Sequence, residues 1–290
     1  MILVTGAAGK TGLAILRALS GMGIETRALV RNPEQESSAK AAKALQVLSG
    51  DLLDGRVVRQ ALQGVEAVYL ICPNVHPQEF EIGKRIIASA KTAGVTRLIY
   101  HSVLYPQIEA MPHHWQKLRV EEALVQSGMD FSILQPASYM QNLLPYWSKI
   151  ITEGVYRIPY SVNANFSPVH LEDVAEVASR VLTEPGHSAT IYPLAGPEIL
   201  NSERMVDLIG QHLGRQIKAE TQSIREWEEE ARAKIMGDDQ IDAFRKMFIY
   251  YDAHGLVGNP RQLQQLLQRS PKRFSDFISS LEISKNKRDH

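Results

Sequence analysis

Apolar and polar residues follow two alternating periodicities along the first 136 residues of the chain. Short apolar runs rich in β-branched residues predict strands, and segments with apolar residues at helical spacing predict helices. The predicted strands are Ile2–Thr5, Ile24–Val30, Gln46–Leu48, Val65–Ile71, Arg97–Val103 and Phe131–Leu134, and the predicted helices are Leu13–Leu19, Glu34–Leu45, Val57–Leu62, His76–Ala93 and Trp115–Gln126. This alternation indicates an α/β fold with a doubly wound parallel sheet covered by helices on both faces.

The pattern changes after Pro136, where predicted strands no longer alternate regularly with helices. The predicted strands here are Val155–Ile158, Phe166–Val169 and Thr190–Leu194, and the predicted helices are Leu171–Leu182, Ser202–Leu213, Ser223–Lys234 and Gln240–Tyr251. We therefore expect a doubly wound domain over residues 1–136 and a smaller α+β region over 137–284, whose strands can return to the sheet. Residues 285–290 are polar and charged and predict a tail.

Composition narrows the possible functions. The 290 residues include 32 Lys+Arg and 32 Asp+Glu, so the net charge is zero and a broad nucleic-acid surface is not expected. Cys72 is the one cysteine, which excludes an internal disulfide and favours a small buried side chain over a nucleophile. The histidines lack metal-ligand spacing, so we predict no metal. Apolar runs fall short of a membrane span and no targeting segment is visible, which predicts a cytoplasmic protein.

A glycine loop joins the first predicted strand to the first predicted helix. The loop Val4–Gly12 has glycines at positions 6, 9 and 12. Gly6 permits a tight turn, Gly9 lets a diphosphate approach the backbone, and Gly12 lets the helix pack closely on the strand. Backbone N–H groups at the helix start then favour an anion. The predicted contacts are Gly6, Ala8, Gly9, Lys10, Thr11 and Gly12. The alternative is a turn without a ligand; a P-loop is disfavoured because its first two glycines are five residues apart.

Arg31 follows the second predicted strand, where a Rossmann-like fold usually has an acidic residue that binds the ribose 2′-hydroxyl. A guanidinium fits a 2′-phosphate instead, which favours NADP over NAD, and Lys10 can add positive charge nearby. The alternative is that Arg31 is a solvated loop residue. Asp51, with Leu52 beside it, either lines the adenine or is the N-cap of the next helix.

Stretches along nearly the whole chain resemble the NmrA-like group of atypical short-chain dehydrogenases. They are Val4–Gly12, Ala28–Pro33, Ser49–Asp54, His113–Glu121, Ser127–Pro136, Phe166–Ala175 and Arg269–Phe277. This resemblance implies NADPH as cofactor and an oxidoreductase that reduces a small flat acceptor such as a quinone. The second hypothesis is a regulatory protein that binds NADP(H) and passes the redox state to a protein partner, because some relatives only sense NAD(P). A sugar-nucleotide epimerase shares the fold and is a third option.

The sequence departs from typical short-chain dehydrogenases at the Tyr-xxx-Lys pair on which their carbonyl reduction depends. Lys117 is in the lysine position, but His113 stands where the tyrosine is expected, and Tyr100 and Tyr105 lack the spacing. The resemblance implies that Lys117 holds the nicotinamide ribose. His113, one helical turn away, titrates near neutrality in its ordinary range and is a candidate proton donor. The alternative is that His113 and His114 are surface residues.

Ligands of doubly wound sheets bind at the carboxyl ends of the strands, which indicates further site residues. The predicted cofactor contacts there are Cys72, Pro73, Ser102, Gln135, Pro136 and Ala137, and the predicted substrate contacts are Tyr139, Met140 and Phe166. Ordinary core packing is an equally good interpretation of these aromatic and apolar side chains. The expected partner is a small molecule, and both a monomer and a homodimer stay open.

Overall fold

The computed structural model describes residues 1–234 and 236–281, which form nine strands and twelve α-helices. The strands are β1 Ile2–Val4, β2 Thr26–Val30, β3 Gln46–Ser49, β4 Ala67–Leu70, β5 Arg97–His101, β6 Asp130–Pro136, β7 Val155–Ile158, β8 Thr190–Leu194 and β9 Lys218–Thr221. The helices are α1 Lys10–Gly21, α2 Glu36–Ala41, α3 Gly55–Leu62, α4 Glu79–Thr92, α5 Pro112–Gln126, α6 Leu144–Glu153, α7 Leu171–Thr183, α8 Ser202–Leu213, α9 Ile224–Ala233, α10 Asp238–His254, α11 Arg261–Leu267 and α12 Phe274–Ser279. Two short 3₁₀ helices, Pro33–Gln35 and Met140–Leu143, precede α2 and α6.

Seven strands form one sheet in the order β3-β2-β1-β4-β5-β6-β8, and every neighbouring pair is parallel. One hydrophobic core lies between the sheet and helices α1, α7 and α11, and a second lies beneath α3, α4 and α5 on the other face. The predicted Rossmann-like doubly wound fold is therefore confirmed. The strand order reverses between β1 and β4, and this switch point is where such sheets open a crevice for ligands.

The region after Pro136 does not form a wholly separate body. Strand β8 returns to the main sheet and pairs with β6, in a register that places Ser132 beside Thr190. Strands β7 and β9 form a separate two-stranded sheet. A third hydrophobic core under α6, α8 and α12 holds this smaller part together.

Two predicted elements are wrong in type or extent. Phe166–Val169 is not a strand, because its ends make only isolated bridges to Tyr139, Leu200 and Leu256, which belong to three different segments. The helix predicted over Glu34–Leu45 is broken into a 3₁₀ turn and the six-residue α2. Lys43 takes a left-handed φ of +68°, which closes that helix early.

Two stretches that carry the family resemblance meet in the structure. The fully buried carboxylate of Asp173 accepts hydrogen bonds from Arg269 Nη2 at 2.7 Å and from the Lys272 backbone N–H at 2.8 Å. Arg269 also contacts Glu176, at 2.6 Å. These contacts fasten the C-terminal segment to α7, so the two stretches are explained by packing. The predicted tail over 285–290 lies outside the described residues.

Within the part of the chain that the structure describes, no helix is long and apolar enough to cross a membrane.

Candidate cofactor site

The loop after β1 is fastened directly to the loop after β4. The Thr5 hydroxyl donates to the Ile71 carbonyl at 2.9 Å and accepts from the Ile71 N–H at 2.8 Å. Gly6 then takes a left-handed φ of +56°, with the Ile71 side chain 3.1 Å from where a Cβ would lie. Only glycine adopts this conformation easily, so the tight turn at the switch point depends on Gly6.

The start of α1 is open to an anion. Gly9 is the N-cap and supplies no side-chain hydrogen bond, and the first turn contains no acidic residue. The first N–H groups of a helix have no intrahelical partner and attract a phosphate. A Cβ at Gly12 would lie 2.5 Å from the Gly6 carbonyl oxygen, so Gly12 lets α1 pack against the loop. With the neighbouring Ala8, Lys10 and Thr11, this cradle fits a diphosphate.

Arg31 is exposed directly after β2, and it forms no ion pair with any of residues 1–234 or 236–281. Its backbone N–H donates to the Gln35 side chain at 3.0 Å, which fixes the start of the loop. The guanidinium is therefore available for a ligand at this end of the sheet.

Asp51 does not cap α3. Its carboxylate accepts from the Leu53 N–H at 2.8 Å within its own loop, whereas Asp54 is the N-cap and accepts from the Arg56 N–H. The alternative prediction that Asp51 is a helix cap is thus wrong. Asp51 is exposed and Leu52 is buried in the core beneath α3 and α4.

The inner face of α5 carries a row of buried polar residues at positions 113, 117 and 121. Lys117 Nζ lies 2.6 Å from Glu79 Oε1, and Glu79 on α4 is fully buried. The Tyr100 hydroxyl donates to the same Glu79 oxygen at 3.1 Å. The ammonium of Lys117, predicted to hold a ribose, is therefore already neutralised by a carboxylate inside the protein.

Glu121, one turn further along α5, joins the segment after β5 to β6. Gln135 Nε2 donates to both of its carboxylate oxygens at 3.0 Å, and the Ser102 hydroxyl donates to one of them. Burial raises the pKa of Glu121, and these two donors and Lys117 oppose that rise. The side chains of Ser102 and Gln135, both predicted cofactor contacts, are thus bonded to α5.

His113 and His114 are both buried, so the alternative that they are surface residues is wrong. Burial, the neighbouring His114 and the charge of Lys117 lower the pKa of His113 to about 3. The expectation that His113 titrates near neutrality is therefore wrong as well, and the neutral imidazole is a poor proton donor at physiological pH. The Nδ1 atom of His114 lies 3.0 Å from the Tyr105 carbonyl oxygen.

The remaining predicted cofactor contacts after β4 and β6 are mostly buried or hydrogen-bonded within the protein. Cys72 is buried, which raises the pKa of its thiol, and Pro73 beside it is partly exposed. The Ala137 N–H donates to the Leu194 carbonyl at 2.9 Å, while the Pro136 carbonyl accepts from the Leu104 N–H. Any contact from this strand end to a ligand comes from exposed backbone and from the residues that follow.

The three predicted substrate contacts lie in different surroundings. Met140 is buried in the third core, and Phe166 packs its ring 5.0 Å from that of Tyr251. Tyr139 is half-buried beside the glycine loop, with Lys10 Nζ 5.3 Å from its ring centre. Lys10 also donates to Asn142, which joins the loop to the following 3₁₀ helix. Of the three, Tyr139 is the one that lies beside the glycine loop.

Sequence reasoning missed a hydrogen-bonded chain that ends on Tyr139. The Tyr139 hydroxyl lies 2.7 Å from His101 Nε2, and His101 Nδ1 lies 2.7 Å from the hydroxyl of Tyr69. It also missed Glu79. His101 ends β5 at the carboxyl edge of the sheet, which is the one sequence signal that could have indicated it.

Comparison with known proteins agrees with this geometry. The sequence model of the NmrA-like family matches residues 1–282. An NAD(P)H azoreductase from Xenophilus azovorans is 28% identical over 285 residues, which cover 97% of each chain. Quinone oxidoreductase 2 of Escherichia coli (strain K12) is 25% identical over 97% of this chain and 98% of its own length.

A solved structure carries the same fold. The NADPH-dependent quinone oxidoreductase from Escherichia coli, crystallised in complex with NADPH, superposes with a TM-score of 0.83. The alignment covers 96% of this chain and 99% of that chain at 24% identity. At this identity, the likeness establishes the fold.

Proposed function

Because this chain belongs to the NmrA-like family, we propose that it binds NADPH and reduces a small flat acceptor such as a quinone. The observation that carries the proposal is the uncapped N-terminus of α1, which lies against a glycine turn at the switch point of the sheet. The azoreductase and quinone oxidoreductase relatives support an acceptor that is flat and conjugated.

Different residues around the crevice bind different parts of the cofactor. The open N–H groups of the first turn of α1 hold the diphosphate, and Gly12 keeps that turn close to the loop. The free guanidinium of Arg31 pairs with the 2′-phosphate, which selects NADPH over NADH. When bound, the reduced nicotinamide supplies a hydride.

An acceptor of this kind suits the residues that are present. Neither the neutral His113 nor the ion-paired Lys117 is a strong acid in this structure. A quinone needs no strong acid from the protein, since binding in the correct orientation does most of the work and water completes the protonation. Tyr139 at the crevice is the side chain best placed to contact a flat acceptor or the cofactor beside it.

A thermal-shift titration followed by an activity assay tests the proposal. We expect NADPH to raise the melting temperature more than NADH, because a ligand at a hundred times its Kd stabilises the fold by about 2.7 kcal/mol. NADPH oxidation should then respond to a panel of quinones and azo dyes. If NADPH binds but no acceptor of the panel is reduced, the proposed enzymatic activity is overturned. If NADPH does not bind, the proposed cofactor site is overturned.

The second candidate is an NADP(H)-sensing regulatory protein without catalysis. The buried Lys117–Glu79 pair favours it, because the lysine of the dehydrogenase motif is engaged before any ligand arrives. A sensor must distinguish the redox forms, so the Kd values for NADP and NADPH should differ and a protein partner should respond to that difference. Equal affinity for both forms would exclude this candidate.

A further inference from the structure

His101 lies between two tyrosine hydroxyls in the interior next to the glycine loop. Each of its ring nitrogens is 2.7 Å from a phenolic oxygen, Nδ1 from that of Tyr69 and Nε2 from that of Tyr139. His101 is 7% exposed and Tyr69 is fully buried, whereas Tyr139 is half-buried beside Lys10 of the glycine loop. The three side chains therefore form a line that runs from the core to the glycine loop.

The order of donors and acceptors along this line is fixed at its inner end, where Tyr69 has a single hydrogen-bond partner among the described residues. Burial, followed by the charge of Lys117, lowers the pKa of His101 to about 3, so the imidazole is neutral and carries one N–H hydrogen. Within residues 1–234 and 236–281, the Tyr69 hydroxyl has no hydrogen-bond partner besides His101. If His101 carried its hydrogen on Nδ1, the hydrogen of the Tyr69 hydroxyl would be buried without an acceptor, which is costly.

The favoured arrangement is therefore the one in which Tyr69 donates to Nδ1 and His101 carries its hydrogen on Nε2. Nε2–H then donates to the oxygen of Tyr139, and the hydrogen of Tyr139 is left to point elsewhere. Two residues in the first turn of α1 lie beside Tyr139: Lys10 Nζ is 5.3 Å from its ring centre, and the Thr11 side chain is in hydrogen-bonding contact with its hydroxyl. The Thr11 hydroxyl can donate to the phenolic oxygen as Nε2–H does, which leaves the hydrogen of Tyr139 for another acceptor. Lys10 adds a positive charge there, so an anionic or polar ligand oxygen is the acceptor that suits this hydrogen best.

We propose that Tyr69 and His101 are positioning residues that hold the phenol of Tyr139 as a hydrogen-bond donor toward an oxygen of the bound dinucleotide. This inference rests on the proposed function. The line of side chains is not a proton relay, because Tyr69 at its inner end is fully buried and does not contact solvent. The line instead fixes an orientation, which raises affinity by removing the freedom of the phenolic hydrogen before the ligand arrives.

The first test needs neither ligand nor activity. Long-range ¹H–¹⁵N NMR of the labelled full chain distinguishes the two neutral forms of a histidine, and the His101 signals are assigned by their loss in His101→Gln. We expect the hydrogen on Nε2 in the wild type. In Tyr69→Phe the hydrogen should stay on Nε2, and the Nδ1 resonance should move downfield because Nδ1 then accepts no hydrogen bond. A hydrogen on Nδ1 would overturn the inference, because Tyr139 would then donate to His101 and have no hydrogen left for a ligand.

The second test is a double-mutant cycle on the Kd for NADPH, measured by fluorescence titration. Tyr139→Phe should weaken binding by about tenfold, as expected for a hydrogen bond to a charged group. Tyr69→Phe should weaken it less, and should have no further effect when Tyr139→Phe is already present. Additive effects, or an unchanged Kd in Tyr139→Phe, would overturn the inference while wild-type binding still supports the proposed function.

A matched control lies at the other end of the sheet. The Tyr192 hydroxyl on β8 is 2.7 Å from His187 Nδ1, the same pairing at the amino end of the strands. Tyr192→Phe should leave both the Kd and the His101 signals unchanged, and a change as large as that of Tyr69→Phe would overturn the assigned specificity. Failure of the wild type to bind NADPH would instead overturn the proposed function, and this inference with it.

Discussion

The loop after β1 and the inner face of α5 both bring polar groups to the carboxyl ends of the strands, but they use them in opposite ways. The loop leaves its donors open, because Gly9 cannot cap α1 and no acidic residue lies in the first turn. The face of α5 pairs its charges within the protein, Lys117 with Glu79 and Glu121 with Gln135.

On this difference we base the proposal that the loop binds the ligand, whereas the polar side chains of α5 stabilise the fold. A buried charge is costly unless it is paired, so the buried positions of Lys117 and Glu121 on one helix face are explained by their partners on α4 and β6. At the start of α1, by contrast, no side chain among the described residues caps the helix. The comparison therefore supports the proposal that the cofactor binds at the loop, and substitutions in the loop or on α5 can test it.

The largest effect is expected from Lys117→Met. The substitution leaves the carboxylate of Glu79 buried without its cation, which should lower the free energy of unfolding by about 3–5 kcal/mol. Urea denaturation measures this loss. The folded fraction should keep a Kd for NADPH close to that of the wild type, because the ammonium is already engaged by Glu79.

The double variant Glu79→Gln with Lys117→Met is the matched control for that experiment. It removes both charges, so most of the lost stability should return. If Lys117→Met is as stable as the wild type but no longer binds NADPH, the comparison is contradicted, and Lys117 contacts the cofactor as the resemblance implies.

The next largest effect is expected from Gly12→Val. Its Cβ would lie 2.5 Å from the Gly6 carbonyl oxygen and 2.6 Å from Ala7 Cα, both backbone atoms that cannot easily move. We expect a loss of about 1–3 kcal/mol in stability and no stabilisation by NADPH in a thermal-shift titration. Gly21→Ala, at the open far end of the same helix, should be neutral or slightly stabilising. Normal NADPH binding by Gly12→Val would contradict the cradle.

Arg31→Asp sharpens the cofactor side of the comparison. Removal of the guanidinium from a 2′-phosphate should raise the Kd for NADPH by about 10- to 100-fold, and the Kd for NADH should change less. The ratio of the two Kd values is therefore the measurement. Arg204→Asp, on the exposed face of α8, makes the same change of charge and should leave that ratio unchanged. An unchanged ratio in Arg31→Asp would show that this residue does not contact the 2′-phosphate.

Much of the fold could be predicted from the sequence, because regular periodicity and strong end signals act locally. Strands β7 and β8 and helix α8 begin and end at the predicted residues, and Asn201 and Gly214 flank α8 with a cap and a left-handed stop. Helices α6, α11 and α12 and strand β9 were missed. Three of these four have seven residues or fewer, too few for a period to be recognised.

The site could be predicted only where it is made of backbone. Glycines at 6, 9 and 12 act through their missing side chains, so their spacing carries the information. The partners of Lys117 and His101 could not be predicted, because Glu79 is 38 residues from Lys117 and Tyr69 is 32 residues from His101. These pairs form only when the sheet and its helices assemble, and the burial that shifts the pKa of His113 arises in the same way.

The smallest effect, about 1 kcal/mol over the first pH unit below 6.5, is a pH dependence that shows whether His113 is a packed neutral residue or an acid. The pKa of His113 is about 3 in the fold, and an unfolded histidine titrates near 6.5. Between these values the unfolded chain binds a proton that the folded chain does not, so His113 makes stability fall as pH decreases below about 6.5, with a slope that approaches about 1.4 kcal/mol per pH unit. His113→Gln should therefore lose stability less steeply than the wild type between pH 6.5 and 4 in urea denaturation, while exposed His254→Gln should follow the wild type. The pH profile of NADPH oxidation by His113→Gln should keep the wild-type shape around pH 7. If the variant loses an inflection that the wild type shows near neutrality, His113 donates the proton.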